Sequence, residues 1–181
     1  AGTALLLTAC ALCGFACIRP YFHAMAISFT TPCANFINGK WSTEGDGTYT
    51  KVVDKYDGTE LARIPNATAS QLEEALAAAH VNRAVLRRMT AGERSAKLAS
   101  LTALLVEHET ELVSLIVREA GKPISSARAE VARCITTVRT AAAEALRFGG
   151  EVVPLDFGAG EGRVAFTKQV PIGVVAAITP F

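Results

Sequence analysis

The chain has 181 residues, with 18 lysines and arginines against 17 aspartates and glutamates, for a formal net charge of +1. Half of its residues are apolar, which excludes an intrinsically disordered chain and supplies material for a core. The balanced charge leaves no basic footprint for nucleic acid or acidic lipid, and the length suits one domain or a piece of a larger one.

Residues 4–18 are uncharged and mostly apolar. A membrane-spanning helix needs about 20 such residues, so no span is expected. Ala24-Met25-Ala26 offers a small-residue cleavage site, but no basic segment precedes the apolar run as a signal peptide requires. Two readings stay open. One is an over-extended translation whose true start is Met25, and the other is a targeting segment. Residues 1–26 are therefore set apart as a leader and 27–181 as the folding part. Cys10, Cys13 and Cys17 lie in the leader. The Cys10-Ala-Leu-Cys13 spacing lacks the second ligand pair of a zinc site and the βαβ pattern of a redox motif. These cysteines read as small apolar filler, and no metal site is predicted.

Phe36-Ile-Asn-Gly-Lys-Trp41 reads as two short strands around an Asn-Gly turn. Tyr49–Val53 reads as a third strand, Asp57-Gly58 as a turn and residues 60–64 as the strand that pairs back. Together they predict a small β-meander. Asn66-Ala-Thr68 has the form of a glycosylation sequon, although a turn before a helix is the preferred reading. Ser70-Gln-Leu-Glu73 reads as a capping box opening a helix that runs to about Arg88. Arg83, Arg87 and Arg88 form a solvated face on it.

Thr90-Ala-Gly-Glu93 is a second capping box. Leu98, Leu101, Leu105, Leu112, Leu115 and Ile116 follow in one apolar stripe, predicting a single helix stopped by Gly121 and Pro123. His108 falls in that stripe and is expected to be a packed core histidine. The third helix is predicted from near Pro123 to about Phe148, with Val131, Ile135, Val138, Ala142 and Leu146 on one face. Cys134 is expected to be buried within it and unreactive.

Residues 152–157 and 163–170 read as strands around Gly158-Ala-Gly160-Glu-Gly162. The glycines suggest a dinucleotide fingerprint, but that motif needs a following helix whose N-terminus binds pyrophosphate. A strand follows instead, and Glu161 would repel phosphate, so a hairpin tip is expected. Pro171-Ile-Gly then leads into residues 174–178, an apolar run before Thr179-Pro180. Such a run predicts a strand buried on both faces of a parallel sheet. Ligands bind just past the carboxyl ends of such strands, so a binding crevice is expected there.

Five motifs occur in order and at matching separations. They are Phe36 to Trp41, Asp57-Gly-Thr-Glu-Leu-Ala-Arg-Ile-Pro65, Glu93-Arg94, Glu119-Ala-Gly-Lys-Pro123 with Glu130-Val131, and Pro171-Ile-Gly-Val-Val through Pro180-Phe181. Over about residues 35–181 they resemble the amino-terminal part of the NAD(P)-dependent aldehyde dehydrogenase superfamily. The resemblance implies an α/β fold. The chain would supply the N-terminal part of a Rossmann-like cofactor domain, with the β-meander, three helices and part of a β oligomerisation arm. Residues 174–178 would enter the cofactor-binding sheet.

The resemblance also implies an aldehyde substrate, NAD or NADP as cofactor and a homo-oligomer, dimer or tetramer. In the family a cysteine attacks the aldehyde to give a thiohemiacetal, a glutamate activates water and an asparagine amide holds the oxyanion. That asparagine would directly follow Phe181, with the cysteine and glutamate farther on. No catalytic residue is therefore assigned in this chain. Ile178, Thr179, Pro180 and Phe181 match the segment lining the dinucleotide site, through backbone and apolar contacts. Phe181 stands where many members have tryptophan. Some members hold a structural monovalent cation with a carbonyl near Val52 and a carboxylate at Glu119, but an ion-paired helix-end carboxylate is the preferred reading of Glu119.

The chain is thus expected to be the amino-terminal piece of an aldehyde-oxidising enzyme, inactive by itself. A non-catalytic short product that pairs with full-length subunits, or a piece of a CoA-acylating relative, are the alternatives. A cytoplasmic location is expected, or an organellar or secretory one if residues 1–26 are a real targeting segment.

Overall fold

The computed structural model describes residues 33–179. The segment with Cys10, Cys13, Cys17 and Met25 lies outside the described residues, as do Pro180 and Phe181. β1 (Asn35–Ile37) and β2 (Lys40–Ser42) pair antiparallel. Asn38 and Gly39 turn between them at φ 48° and 79°, the left-handed pair that a type I′ hairpin requires. Phe36 and Trp41 face each other across the ladder with ring centroids 4.9 Å apart.

β3 (Tyr49–Val53) and β4 (Glu60–Pro65) form a second antiparallel pair. The four strands lie where the sequence predicts, but they make two separate ladders and not one meander. The reason is in the link before β3, which bonds to the far end of β4. The Asp46 N–H donates to the Asn66 carbonyl at 2.9 Å, and the Asn66 N–H to the Thr48 carbonyl at 3.1 Å. The Asn66 side chain accepts from the Thr50 hydroxyl and donates to Thr48 Oγ1, each at 2.7 Å. The sequon asparagine is thus a clasp in the turn before a helix, as preferred.

That helix, α1 (Ala69–Arg88), is capped two residues earlier than expected. Thr68 Oγ1 accepts from the Gln71 N–H at 3.1 Å, and Gln71 Oε1 accepts from the Thr68 N–H at 2.9 Å. Ser70 is already helical, so it cannot serve as the extended cap residue, whereas Thr68 has ψ 162°. α2 (Ala91–Glu107) opens with the expected Thr90–Glu93 box.

The helix expected to continue to Gly121 breaks at His108, and α3 (Glu109–Ala120) follows directly. His108 has φ −99° and ψ 15°, which ends one helix and starts the next. Its side chain is only 14% exposed, with Nδ1 2.8 Å from Glu111 Oε2. It is packed, as expected, but at a helix junction. Glu109 and Glu111 sit in the first turn of α3, where the helix dipole favours acids. Gly121 closes α3 at φ 68°, and its N–H reaches the Val117 carbonyl at 2.9 Å. A side chain there would be strained by the left-handed backbone and would press on Lys55.

α4 (Ile124–Glu144) ends short of Phe148, leaving Leu146 exposed. It packs on α2 and α3. Ala127, Val131 and Ile135 of α4 join Val113 of α3 in the core, flanked by Leu105, Leu112, Ile116 and Val117. Cys134 is exposed, contrary to expectation. The buried face of α4 is a narrow stripe, and Cys134 lies at its margin beside exposed Arg133 and Thr137.

β5 (Val152–Val153) and β6 (Ala165–Phe166) form the expected hairpin, with far shorter strands. Pro154 has no N–H to continue the ladder. The glycine cluster between them is a 3-10 turn at Gly158–Gly160, so the hairpin-tip reading holds. Residues 171–179 form no strand, contrary to expectation. A strand needs a ladder partner, and no described strand lies beside this segment. No helix among the described residues is long and apolar enough to cross a membrane.

Candidate functional site

The expected site lies at the end of the apolar run after Gly173. Arg83, Ala84 and Arg87 of α1 and Pro171, Ile172 and Gly173 line a groove of about 250 Å³ between helix and segment. Beyond it the chain is exposed. Ile178 is 64% exposed, and Thr179 is exposed beside it. Of the four expected cofactor-lining residues, these two are consecutive, and Pro180 and Phe181 lie outside the described residues. No hydrogen bond ties residues 174–179 to any described residue. What Ile178 and Thr179 offer is apolar surface and open backbone groups. Neither apolar contact nor an amide moves a proton at neutral pH.

The described cysteines are not placed for nucleophilic work. Burial pushes the Cys33 thiol up, and the carboxylate of Glu119 adds to the effect. A nucleophile needs the opposite shift, toward thiolate. Cys134 lies in the open on α4. Among the described residues no group of three or more acids, histidines or cysteines is arranged to hold a metal. Glu119 makes no ion pair among the described residues, contrary to the preferred reading. The cations beside it are engaged elsewhere. Arg118 Nε donates to Asp54 Oδ2 at 3.0 Å, and Lys122 pairs with Glu130.

The Arg118–Asp54 contact joins the end of α3 to the turn between β3 and β4. The Lys55 N–H adds a bond to the Arg118 carbonyl at 3.0 Å. Sequence reasoning missed this clasp, because 64 residues separate its partners and no local period links them. The Lys122–Glu130 pair was half visible, since both residues fall in recognised motifs.

The hairpin is held at its base. The Thr167 N–H donates to the Glu151 carbonyl at 2.8 Å, and the Glu151 N–H to Thr167 Oγ1 at 2.9 Å. Gly150 is required there, because a Cβ would stand 1.7 Å from the Thr167 carbonyl oxygen. The hairpin presents apolar side chains to solvent, with Val164 86% and Phe166 74% exposed.

The model of the aldehyde dehydrogenase family matches residues 41–181, which takes in the helices, the hairpin and the Pro171 segment. The chain belongs to the aldehyde dehydrogenase family. It is 38% identical over 147 residues to a 3-sulfolactaldehyde dehydrogenase of Priestia aryabhattai, covering 81% of this chain and 30% of the relative. Among solved structures, aldehyde dehydrogenase 21 of Physcomitrella patens in complex with the reaction product succinate aligns with a TM-score of 0.67 and 35% identity. That match covers 74% of this chain and 28% of the other. An NADP-dependent glyceraldehyde-3-phosphate dehydrogenase of Bacillus halodurans complexed with NADP also aligns at 0.67, with 28% identity, covering 72% and 28%. The chain therefore spans about 30% of the length of the curated aldehyde dehydrogenases it matches. Its helices and small ladders are the amino-terminal part of the α/β aldehyde dehydrogenase fold.

Proposed function

We propose that the protein to which this chain belongs oxidises an aldehyde to a carboxylic acid with NAD or NADP. The chain would supply the amino-terminal portion of the cofactor domain. The observation that carries this reading is the family match across residues 41–181, which includes the Pro171 segment. Ile178, Thr179, Pro180 and Phe181 would line the dinucleotide site near the nicotinamide ribose through backbone and apolar contact. The dinucleotide, when bound, accepts the hydride leaving the substrate carbon. The nucleophilic cysteine, the water-activating glutamate and the oxyanion-binding asparagine that the resemblance implies match no position of this chain, so the chain is expected not to turn over alone.

Two names guide the choice of substrate. One relative is a 3-sulfolactaldehyde dehydrogenase, and one structural neighbour holds succinate as its product. The first substrates to try are short aldehydes that carry an acid group. The hairpin with exposed Val164 and Phe166 supports a second assignment, that this arm joins copies of the protein into a homo-oligomer.

The test is reduction of NAD and NADP by the longer protein over a panel of acidic and neutral short aldehydes, with the isolated chain run in parallel. Turnover by the longer protein and none by the chain is expected. A longer protein inactive on every aldehyde would overturn the oxidation reading, and turnover by the isolated chain would overturn the placement of catalysis outside this chain.

A further inference from the structure

No further inference is drawn: the strongest candidate, the groove between Arg83 and Arg87 of α1 and the Pro171, Ile172 and Gly173 segment, is walled by exposed side chains, and nothing in the structure shows what covers it.

Discussion

The helical body and the stretch after it are built from equally apolar sequence, yet they reach different ends. In the body, Val113, Ala127, Val131 and Ile135 close on one another between α3 and α4. After Gly149, only two residue pairs hold the β5–β6 ladder, and Val164, Phe166, Ile172 and Ile178 stay exposed. A helix satisfies its backbone internally and needs only one covered stripe. A strand can satisfy its backbone only by pairing with another strand. The body therefore closes a core of its own, whereas the arm and residues 174–178 leave most of their large apolar side chains open to solvent.

Core truncation should separate the two regions most sharply. Ile135→Ala should cost about 2–4 kcal/mol in denaturant unfolding. Phe166→Ala in the same chain should change stability by no more than about 0.5 kcal/mol, as exposed positions do. Equal losses would erase the distinction.

Gly150→Ala sharpens it from the other side. The added methyl collides with the Thr167 carbonyl, so the hairpin base should open at a cost of about 1–3 kcal/mol. Amide exchange should speed up at Glu151 and Thr167 while α4 keeps its protection. Loss of protection throughout α4 would show that hairpin and body fold as one unit.

Removing the Arg118–Asp54 clasp should have a smaller effect. Its carboxylate is mostly covered while the guanidinium is more open, so Arg118→Ala should cost about 1 kcal/mol. In a double-mutant cycle with Asp54→Asn, most of that loss should disappear. Two fully additive losses would mean that the contact contributes nothing to stability.

Acid should act mainly through the turns and caps. The Thr90 backbone N–H holds Glu93 below the ordinary carboxylate range, the Lys122 hydrogen bond does so for Glu130, and the Thr48 hydroxyl does so for Asp46. Each group binds protons less readily folded than unfolded. Its stabilisation is therefore present above the unfolded value of about 4 and is lost as pH falls through the folded one. The thermal midpoint should be flat above about pH 5 and drop below about pH 4. The Glu93→Gln variant should reduce that drop, and an unchanged acid limb would contradict the cap's part in it.

These contrasts also set what could be read in the sequence. The β1–β2 and β3–β4 hairpins were legible because their turns are local, with Asn38-Gly39 and Asp57-Gly58 between paired runs. The Thr90 box and the Gly121 stop were legible for the same reason. The break at His108 was not, because the apolar stripe runs on from Leu105 to Leu112 with no glycine or proline between them. Thr68, not Ser70, is the cap because Thr68 keeps an extended backbone and exchanges hydrogen bonds with Gln71, while Ser70 is already helical. The exposure of Cys134 depends on how narrow a stripe α4 buries against α2 and α3, which a helical period does not specify. Ile178 and Thr179 were assigned from family resemblance alone, and an apolar run without its neighbouring strand presents no site geometry of its own.

The most direct test of the central claim is hydrogen–deuterium exchange on the longer protein, with and without NAD or NADP, read at the peptide covering residues 171–181. Saturating dinucleotide should slow exchange there and leave α4 unchanged. Exchange at that peptide that ignores the dinucleotide, while turnover proceeds, would contradict the placement of Ile178, Thr179, Pro180 and Phe181 at the cofactor.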